Sequence, residues 1–138
     1  MKVLIVDDEL PARQRLAAML SGIADCEVAG EAGNGRQAVE MAEALAVDAV
    51  LLDIAMPVMD GLEAAQHLSG LEPRPAVIFC TAYDEHALAA FEAAAVDYLV
   101  KPVRLERLVE ALELARRQRQ AAAPGTASAT PAAQRQRS

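Results

Sequence analysis

The sequence contains no tryptophan, only two cysteines and no long apolar run. Although 54% of its residues are hydrophobic, no stretch reaches the roughly 18 consecutive apolar residues that suggest a membrane span. The first residues, MKVLIVDDE, offer few apolar positions before two aspartates, unlike a secretory signal peptide. Cys26 and Cys80 form neither a metal-binding spacing nor a disulfide framework. We therefore expect a soluble cytoplasmic protein with reduced thiols and no contact with membranes.

Basic residues are scarce over most of the chain. Of the 13 lysines and arginines, five lie beyond residue 115, whereas all 20 acidic residues lie before it. Residues 1–115 therefore carry eight basic and 20 acidic residues, a net charge of -12. A body this acidic repels phosphate backbones, so we expect no nucleic-acid contact by residues 1–119 themselves. It favours the binding of a cation.

Apolar runs and helical periodicities alternate along the chain, typical of an α/β fold. Because the runs are solid rather than alternating, the strands are predicted to be buried on both faces, as in a parallel sheet between two layers of helices. The expected strands are 2–6, 26–31, 48–53, 75–81 and 96–100, and the expected helices are 11–23, 36–46, 61–71, 84–95 and 104–120. The turn at residues 33–35, Gly-Asn-Gly, is too short for a dinucleotide fingerprint and is predicted to precede a helix.

Four of the five predicted strands end in a polar or charged residue. Asp7 and Asp8 follow the first strand, Asp53 the third, Thr81 ends the fourth and Lys101 follows the fifth. Ligands of parallel α/β sheets bind outside the carboxyl ends of the strands, so these groups are expected to converge. Three carboxylates in one place repel one another unless a cation joins them. Few protein ligands and hard oxygen donors favour Mg²⁺.

The chain resembles the receiver domain of two-component response regulators over nearly all of residues 1–118. The motifs VDDE, LLDIAMPVMDG, CTA and DYLVKP carry the resemblance in the right order. It implies a flavodoxin-like (βα)5 fold, a doubly wound five-stranded parallel sheet of strand order 2-1-3-4-5. The receiver domain would occupy residues 1–119.

The resemblance also implies a role for each acidic residue of the site. Asp53 would be the residue that accepts the phosphoryl group. Asp8 would hold Mg²⁺ directly and Asp7 through water, with Asp53 and the backbone carbonyl of Ala55 as further ligands. Phosphoryl transfer to an aspartate beside a metal ion would then make the protein a switch that phosphorylates and dephosphorylates itself, not a turnover enzyme.

The remaining site residues would, by the same resemblance, read out the phosphate. Thr81 would contact the phosphoryl oxygens, and Lys101 would bridge to Asp53 or its phosphate. Tyr98 would be the aromatic side chain whose rotamer follows the movement of Thr81. The peptide bond between Lys101 and Pro102 is expected to be cis.

A sensor histidine kinase is the partner that the resemblance implies, since its phosphohistidine would donate the phosphoryl group. The face that would change is formed by the helix at 84–95, the strand at 96–100 and the last helix. We expect this face to mediate homodimerisation or contact with a partner. A competing interpretation stays open, in which the alanines of the helix at 84–95 only pack on the sheet.

Residues 120–138 are rich in Ala, Pro, Ser, Thr and Gly and lack apolar periodicity, which is typical of a flexible linker. We expect that an output domain is absent from this chain. The stretch CTAYDEHALAAFEAAAVDYLVKPV resembles receivers attached to LytTR-type DNA-binding domains, which implies control of transcription. The alternative is a stand-alone receiver or phosphorelay protein that acts through contacts with other proteins.

Two other classes of protein share part of this pattern. A flavodoxin-like flavin carrier would need a phosphate-binding loop rich in glycine and hydroxyl groups after the first strand, where this chain has DDELP. An aspartyl-phosphate hydrolase would need a second acid two residues after its nucleophile, and here that residue is Ala55. A flavin absorbance spectrum and a phosphatase assay distinguish both from a receiver.

Overall fold

The computed structural model describes residues 1–82 and 95–122 as an alternation of strands and helices. In chain order these are β1 (Lys2–Val6), α1 (Leu10–Ser21), β2 (Glu27–Ala32), α2 (Gly35–Leu45), β3 (Ala49–Leu52), α3 (Gly61–Leu68), β4 (Ala76–Thr81), β5 (Asp97–Val100) and α4 (Leu105–Ala122). Residues 84–94 of the helix predicted at 84–95 lie outside the described residues, as does most of the predicted linker.

The five strands form one parallel sheet in the order β2-β1-β3-β4-β5. The predicted fold class is therefore confirmed. The order in which the chain adds strands to the sheet reverses direction at β1, because β2 lies on one side of β1 and β3 on the other. The register pairs Val6 with Leu52 and Thr81 with Val100, so the carboxyl ends of neighbouring strands lie level.

Burial explains why the central strands have solid apolar sequences. All residues of β3 and β4 are buried, and so are the last four of β1, whereas the edge strands β2 and β5 are only partly covered. Alternate residues of each strand enter two cores, one on each face of the sheet. One core contains Leu16, Leu20, Leu108, Leu112 and Cys80, and the other contains Ala38, Ala42, Ala64, Leu68 and Phe79. Helices α1 and α4 thus cover one face, and α2 and α3 cover the other.

The helices begin where the sequence provides the appropriate residues. The side chains of Asn34 and Asp60 accept hydrogen bonds from the backbone N–H groups of Gln37 and Glu63, which caps α2 and α3. Pro11 lies in the first turn of α1. Helix α3 ends at Leu68, earlier than the predicted range of 61–71. Within the described residues, no helix is both long and apolar enough to cross a membrane.

Helix α4 is attached to the sheet by arginines near both of its ends. In its first turn, Arg107 donates two hydrogen bonds to the carboxylate of Asp97 at the start of β5, at 3.1 and 3.2 Å. Near its other end, Arg119 donates to Asp48 at 3.1 Å and to the carbonyl of Arg74 at 2.7 Å. Bidentate arginine pairs fix orientation as well as distance. The helix is therefore positioned along its whole length.

Among the residues that the structure describes, three other than glycine have a positive φ, and one of them gives a direct test of the backbone. Ala46, which ends α2, is exposed and adopts the left-handed conformation, with φ 51° and ψ 55°. We expect Ala46→Gly to raise the free energy of unfolding by about 0.5–1 kcal/mol, because only glycine adopts this conformation without a steric cost. Urea denaturation measures the change. Ala44→Gly, on an exposed position inside the same helix, should instead lower stability by about 0.5–1 kcal/mol; changes of the same sign would contradict this account.

Candidate functional site

The carboxyl ends of four strands bring the predicted polar residues together at one edge of the sheet. The backbone N–H of Asp53 donates to the carbonyl of Val6 at 3.0 Å, and that of Lys101 donates to the carbonyl of Thr81 at 2.8 Å. The sheet hydrogen bonding therefore continues to the residues that carry the functional side chains. The bond between Lys101 and Pro102 is cis, as predicted.

Three carboxylates form an acidic cluster at this edge. One oxygen from each of Asp7, Asp8 and Asp53 lies within 4.8 Å of the others. Asp7 is 1% exposed and Asp53 is 6% exposed, whereas Asp8 faces solvent. Burying ionised carboxylates is unfavourable unless a cation or hydrogen-bond donors compensate for the lost hydration.

The side chain of Lys101 forms ion pairs with two carboxylates of the acidic cluster. Its Nζ donates a hydrogen bond to Oδ2 of Asp7 at 2.6 Å and lies 3.7 Å from Oδ2 of Asp53. Burial lowers the pKa of Lys101, but the hydrogen bond to Asp7 and the nearby negative charges outweigh it and raise the pKa above 10.5. The lysine therefore stays charged, and it pairs more closely with Asp7 than with the expected partner Asp53.

Asp53 has a strongly perturbed acidity. Burial raises its pKa from 3.8 to about 6, against the attraction of the Lys101 charge. The charge of Asp7 raises it further, a backbone hydrogen bond from Ile54 lowers it, and the charge of Asp8 raises it. At neutral pH the carboxylate is still mostly ionised. It is nevertheless held in an environment that disfavours its charge, which is typical of functional carboxylates.

Asp7 is held by contacts that the sequence motifs did not reveal. Its Oδ1 accepts a hydrogen bond from the backbone N–H of Glu9 at 3.0 Å, while Oδ2 accepts from Lys101. Arg13 of α1 donates to the carbonyl of Asp7 at 2.6 Å and pairs with Glu31 of β2 at 3.3 Å. Helical spacing places Arg13 one turn beyond Glu9, but nothing in the sequence indicates that its guanidinium turns back to the strand end.

The segment that follows Asp53 forms one wall of the site. The N–H of Gly61 donates to the carbonyl of Ile54 at 2.8 Å, which closes the segment into a loop. A side chain on Gly61 would place its Cβ against the Asp53 carbonyl, so only glycine permits this closure. Ala55 of the loop and Asp8 line the same open cavity of about 450 Å³. Ala55, whose carbonyl the sequence predicts as a metal ligand, therefore lies near Asp8.

Thr81 and Tyr98 lie on the same side of the sheet. Thr81 is 1% exposed, and it follows Phe79 by two residues, so both point to the same face. Tyr98 is opposite Phe79 in the register of β4 and β5 and packs in the same core. The predicted pair thus occupies adjacent strands and a shared face.

The acidic cluster suits a hard divalent cation. Three carboxylates and one lysine leave a charge of -2, so two further positive charges make the cluster neutral. Oxygen donors are the ligands that Mg²⁺ prefers. Asp8 is exposed and accessible to an ion from solvent. Both oxygens of Asp7 are already engaged in hydrogen bonds. The residues present therefore fit a metal bound at the solvent side of the cluster.

Comparisons with known proteins agree with this geometry. A family model described as the response regulator receiver domain matches residues 3–113. The positive alginate biosynthesis regulatory protein of Pseudomonas aeruginosa is 53% identical over 118 residues, covering 85% of this chain and 48% of that protein. The transcriptional regulatory protein BtsR of Salmonella typhi is 45% identical over 118 residues, covering 86% of this chain and 49% of that protein. The chain spans about half the length of these curated relatives.

A solved structure shows the same architecture. The response regulatory domain of the protein MrkE from Klebsiella pneumoniae superimposes with a TM-score of 0.77 at 36% sequence identity. The match covers 86% of this chain and 97% of that domain. The similarity therefore extends across nearly a whole domain of that protein.

The raised pKa of Asp53 predicts a pH-dependent gain in stability on its replacement. The folded-state pKa of about 6 lies above the ordinary 3.8, so ionisation of Asp53 reduces stability as the pH rises through this range. In EDTA, Asp53→Asn should raise the free energy of unfolding by about 1–3 kcal/mol at pH 8 and by much less near pH 4. Urea denaturation across this pH range measures the difference. A gain that is independent of pH would contradict the assignment to the buried charge.

Proposed function

The chain belongs to the response regulator receiver domain family, and on that premise we propose that it accepts a phosphoryl group on Asp53 from a histidine kinase. The domain is a signalling switch. The observation that carries the specific proposal is the buried carboxylate of Asp53, between the ammonium of Lys101 and the carboxylates of Asp7 and Asp8.

Asp53 provides the nucleophile. One of its carboxylate oxygens attacks the phosphorus of a phosphohistidine, an oxygen–phosphorus bond forms, and the nitrogen–phosphorus bond breaks with its electron pair left on the imidazole. With a pKa of about 6, Asp53 is mostly ionised at neutral pH and keeps the lone pair that this attack requires. Lys101, 3.7 Å away, offsets negative charge on the transferring group.

Asp8, Asp53 and the carbonyl of Ala55 would hold Mg²⁺, and Asp7 would act through water. The exposure of Asp8 and the engagement of both Asp7 oxygens support this division. When bound, the ion would neutralise the carboxylates and stabilise charge on the phosphoryl group. Lys101 holds Asp7 in place, and the loop closed by Gly61 keeps Ala55 at the rim.

Thr81 and Tyr98 would transmit the change that follows phosphorylation of Asp53 to the surface of the domain. The phosphorylated side chain would carry about -1.5 to -2 charges, by analogy with other phosphorylated side chains, in place of the single negative charge of the ionised carboxylate. The Thr81 hydroxyl is a donor for the added oxygens. Tyr98 lies on the same face of the sheet as Thr81, so the rotamer of Tyr98 would change when Thr81 moves. The affected surface includes β5 and α4, where Val100, Leu105 and Val109 are exposed apolar residues suited to a homodimer contact. Nearly all of the third element of this surface, the helix predicted at 84–95, lies outside the described residues.

We further propose that the phosphorylated state controls transcription through an output domain. This proposal is supported by the similarity to BtsR, which is named a transcriptional regulatory protein. The chain spans 49% of the length of that protein. The resemblance of residues 80–103 to receivers of the LytTR-type class favours a DNA-binding output. Residues 1–119 would form the receiver domain, and residues 120–138 would form the linker to that output. The alternative remains a receiver or phosphorelay protein that acts only through contacts with other proteins.

Phosphorylation of Asp53 is tested by intact mass. After incubation with acetyl phosphate and Mg²⁺, the wild type should gain one phosphoryl group, and Asp53→Asn should gain none. Asp25→Asn, an exposed aspartate between α1 and β2, is the matched control and should react like the wild type. A phosphoryl group on Asp53→Asn, or one that forms equally well in EDTA, would contradict the proposal.

Binding of Mg²⁺ should stabilise the fold, because the ion relieves repulsion that the folded state alone creates. At ten times its dissociation constant, the ion should add about 1.4 kcal/mol to the free energy of unfolding. For a domain of this size, the melting temperature should rise by about 3–6 °C. Thermal denaturation in EDTA and in increasing Mg²⁺ measures this. Asp8→Asn should show a much smaller rise, and an equal rise in that variant would argue against the acidic cluster as the site.

A further inference from the structure

The turn between β2 and α2 contacts the loop that carries Ala55, although β2 contributes no side chain to the predicted site. We propose that Gly35, the first residue of α2, is a positioning residue for the metal site. Its hydrogen bond and its lack of a side chain set the location of the loop between Asp53 and Gly61. This inference rests on the proposed function, in which the carbonyl of Ala55 is a metal ligand.

The loop is held at two points. At its base, Gly61 donates a backbone hydrogen bond to Ile54 at 2.8 Å. Near its far end, the carbonyl of Met59 accepts a hydrogen bond from the N–H of Gly35 at 3.0 Å. The first contact closes the loop on itself, whereas the second attaches it to another element. Helix α2 therefore helps to position the loop, together with the packing of Ile54, Met56 and Met59 in the core.

Gly35 is required for space. A Cβ at this position would clash with the carbonyl oxygen of Met59 and would lie 3.0 Å from its carbonyl carbon. Because the obstructing atoms belong to the backbone, no change of rotamer relieves the contact. Gly35 is a helical residue without a left-handed φ, so alanine would otherwise be well accommodated there. A side chain at position 35 would therefore force the loop at Met59 to move.

Displacement of the loop would reach the metal ligands. Ala55 belongs to the loop and lines a cavity with Asp8, so a shift at Met59 alters the distance between these two parts of the site. Mg²⁺ requires near-ideal octahedral geometry with short bonds, which makes it sensitive to such a shift. Residues that orient metal ligands typically change metal affinity by 10-fold or more when altered.

Gly33, two residues earlier in the same turn, provides a matched control. A Cβ there would lie 3.7 Å from Nη1 of Arg13 and 3.7 Å from Oε1 of Gln37, which are ordinary contacts. Gly33→Ala and Gly35→Ala therefore introduce the same methyl group into the same turn. They differ in whether that methyl group meets the backbone of the loop.

The experiment is a titration of Mg²⁺ into ¹⁵N-labelled wild type, Gly33→Ala and Gly35→Ala, followed by NMR, with melting curves in EDTA and in Mg²⁺. Gly35→Ala should bind Mg²⁺ about 10-fold more weakly than the wild type, and Gly33→Ala should bind like the wild type. Equal affinities in all three proteins, with Gly35→Ala less stable by the same amount in EDTA and in Mg²⁺, would overturn the inference and leave Gly35 a purely structural residue.

The wild type alone provides a second measurement in case Gly35→Ala does not fold. The amide resonance of Gly35 should shift as Mg²⁺ binds, because its acceptor belongs to the loop, whereas those of Gly22 and Gly70 should not. A stationary Gly35 resonance during saturation by Mg²⁺ would overturn the positioning role and leave the proposed function intact. Failure of the wild type to bind Mg²⁺ would overturn both.

Discussion

Asp7 and Asp53 are buried at the same edge of the sheet, and the single ammonium of Lys101 offsets only part of their charge. Their close approach follows from the strand order, because β1 and β3 are neighbours and both end in an aspartate. Lys101 arrives from β5 across the end of β4. The remaining features of the site either hold these charged groups in place or respond to a change in their total charge.

Buried charge at this edge is balanced by extensive burial elsewhere. The two strands that carry the buried aspartates, β1 and β3, are buried except for the first residue of β1, with an apolar core on each face of the sheet. Backbone hydrogen bonds continue past the last strand residues and define the positions of the polar side chains. A rigid sheet thus holds an electrostatically unfavourable arrangement, and any ligand that relieves the repulsion binds to a preformed site.

The sequence predicted the elements and the site edge because both depend on local patterns. Solid apolar runs identify buried parallel strands, and the residue after each run has to lie at the carboxyl edge. Contacts between elements distant in sequence left no such pattern. Lys101 pairs most closely with Asp7, Arg13 turns back to a strand end, and Gly35 contacts Met59 across the turn. These depend on side-chain direction and on how closely helices approach loops, which composition and periodicity do not encode.

The arginine contacts at the two ends of α4 give this helix a mechanical role. It has 18 residues and is about 27 Å long, and through Arg107 and Arg119 it joins the strand that carries Tyr98 to Asp48, the residue that precedes β3. A helix attached near both ends moves with the segments that it contacts. The chain continues from the end of α4, so a displacement of β5 would also reach the residues that follow this helix.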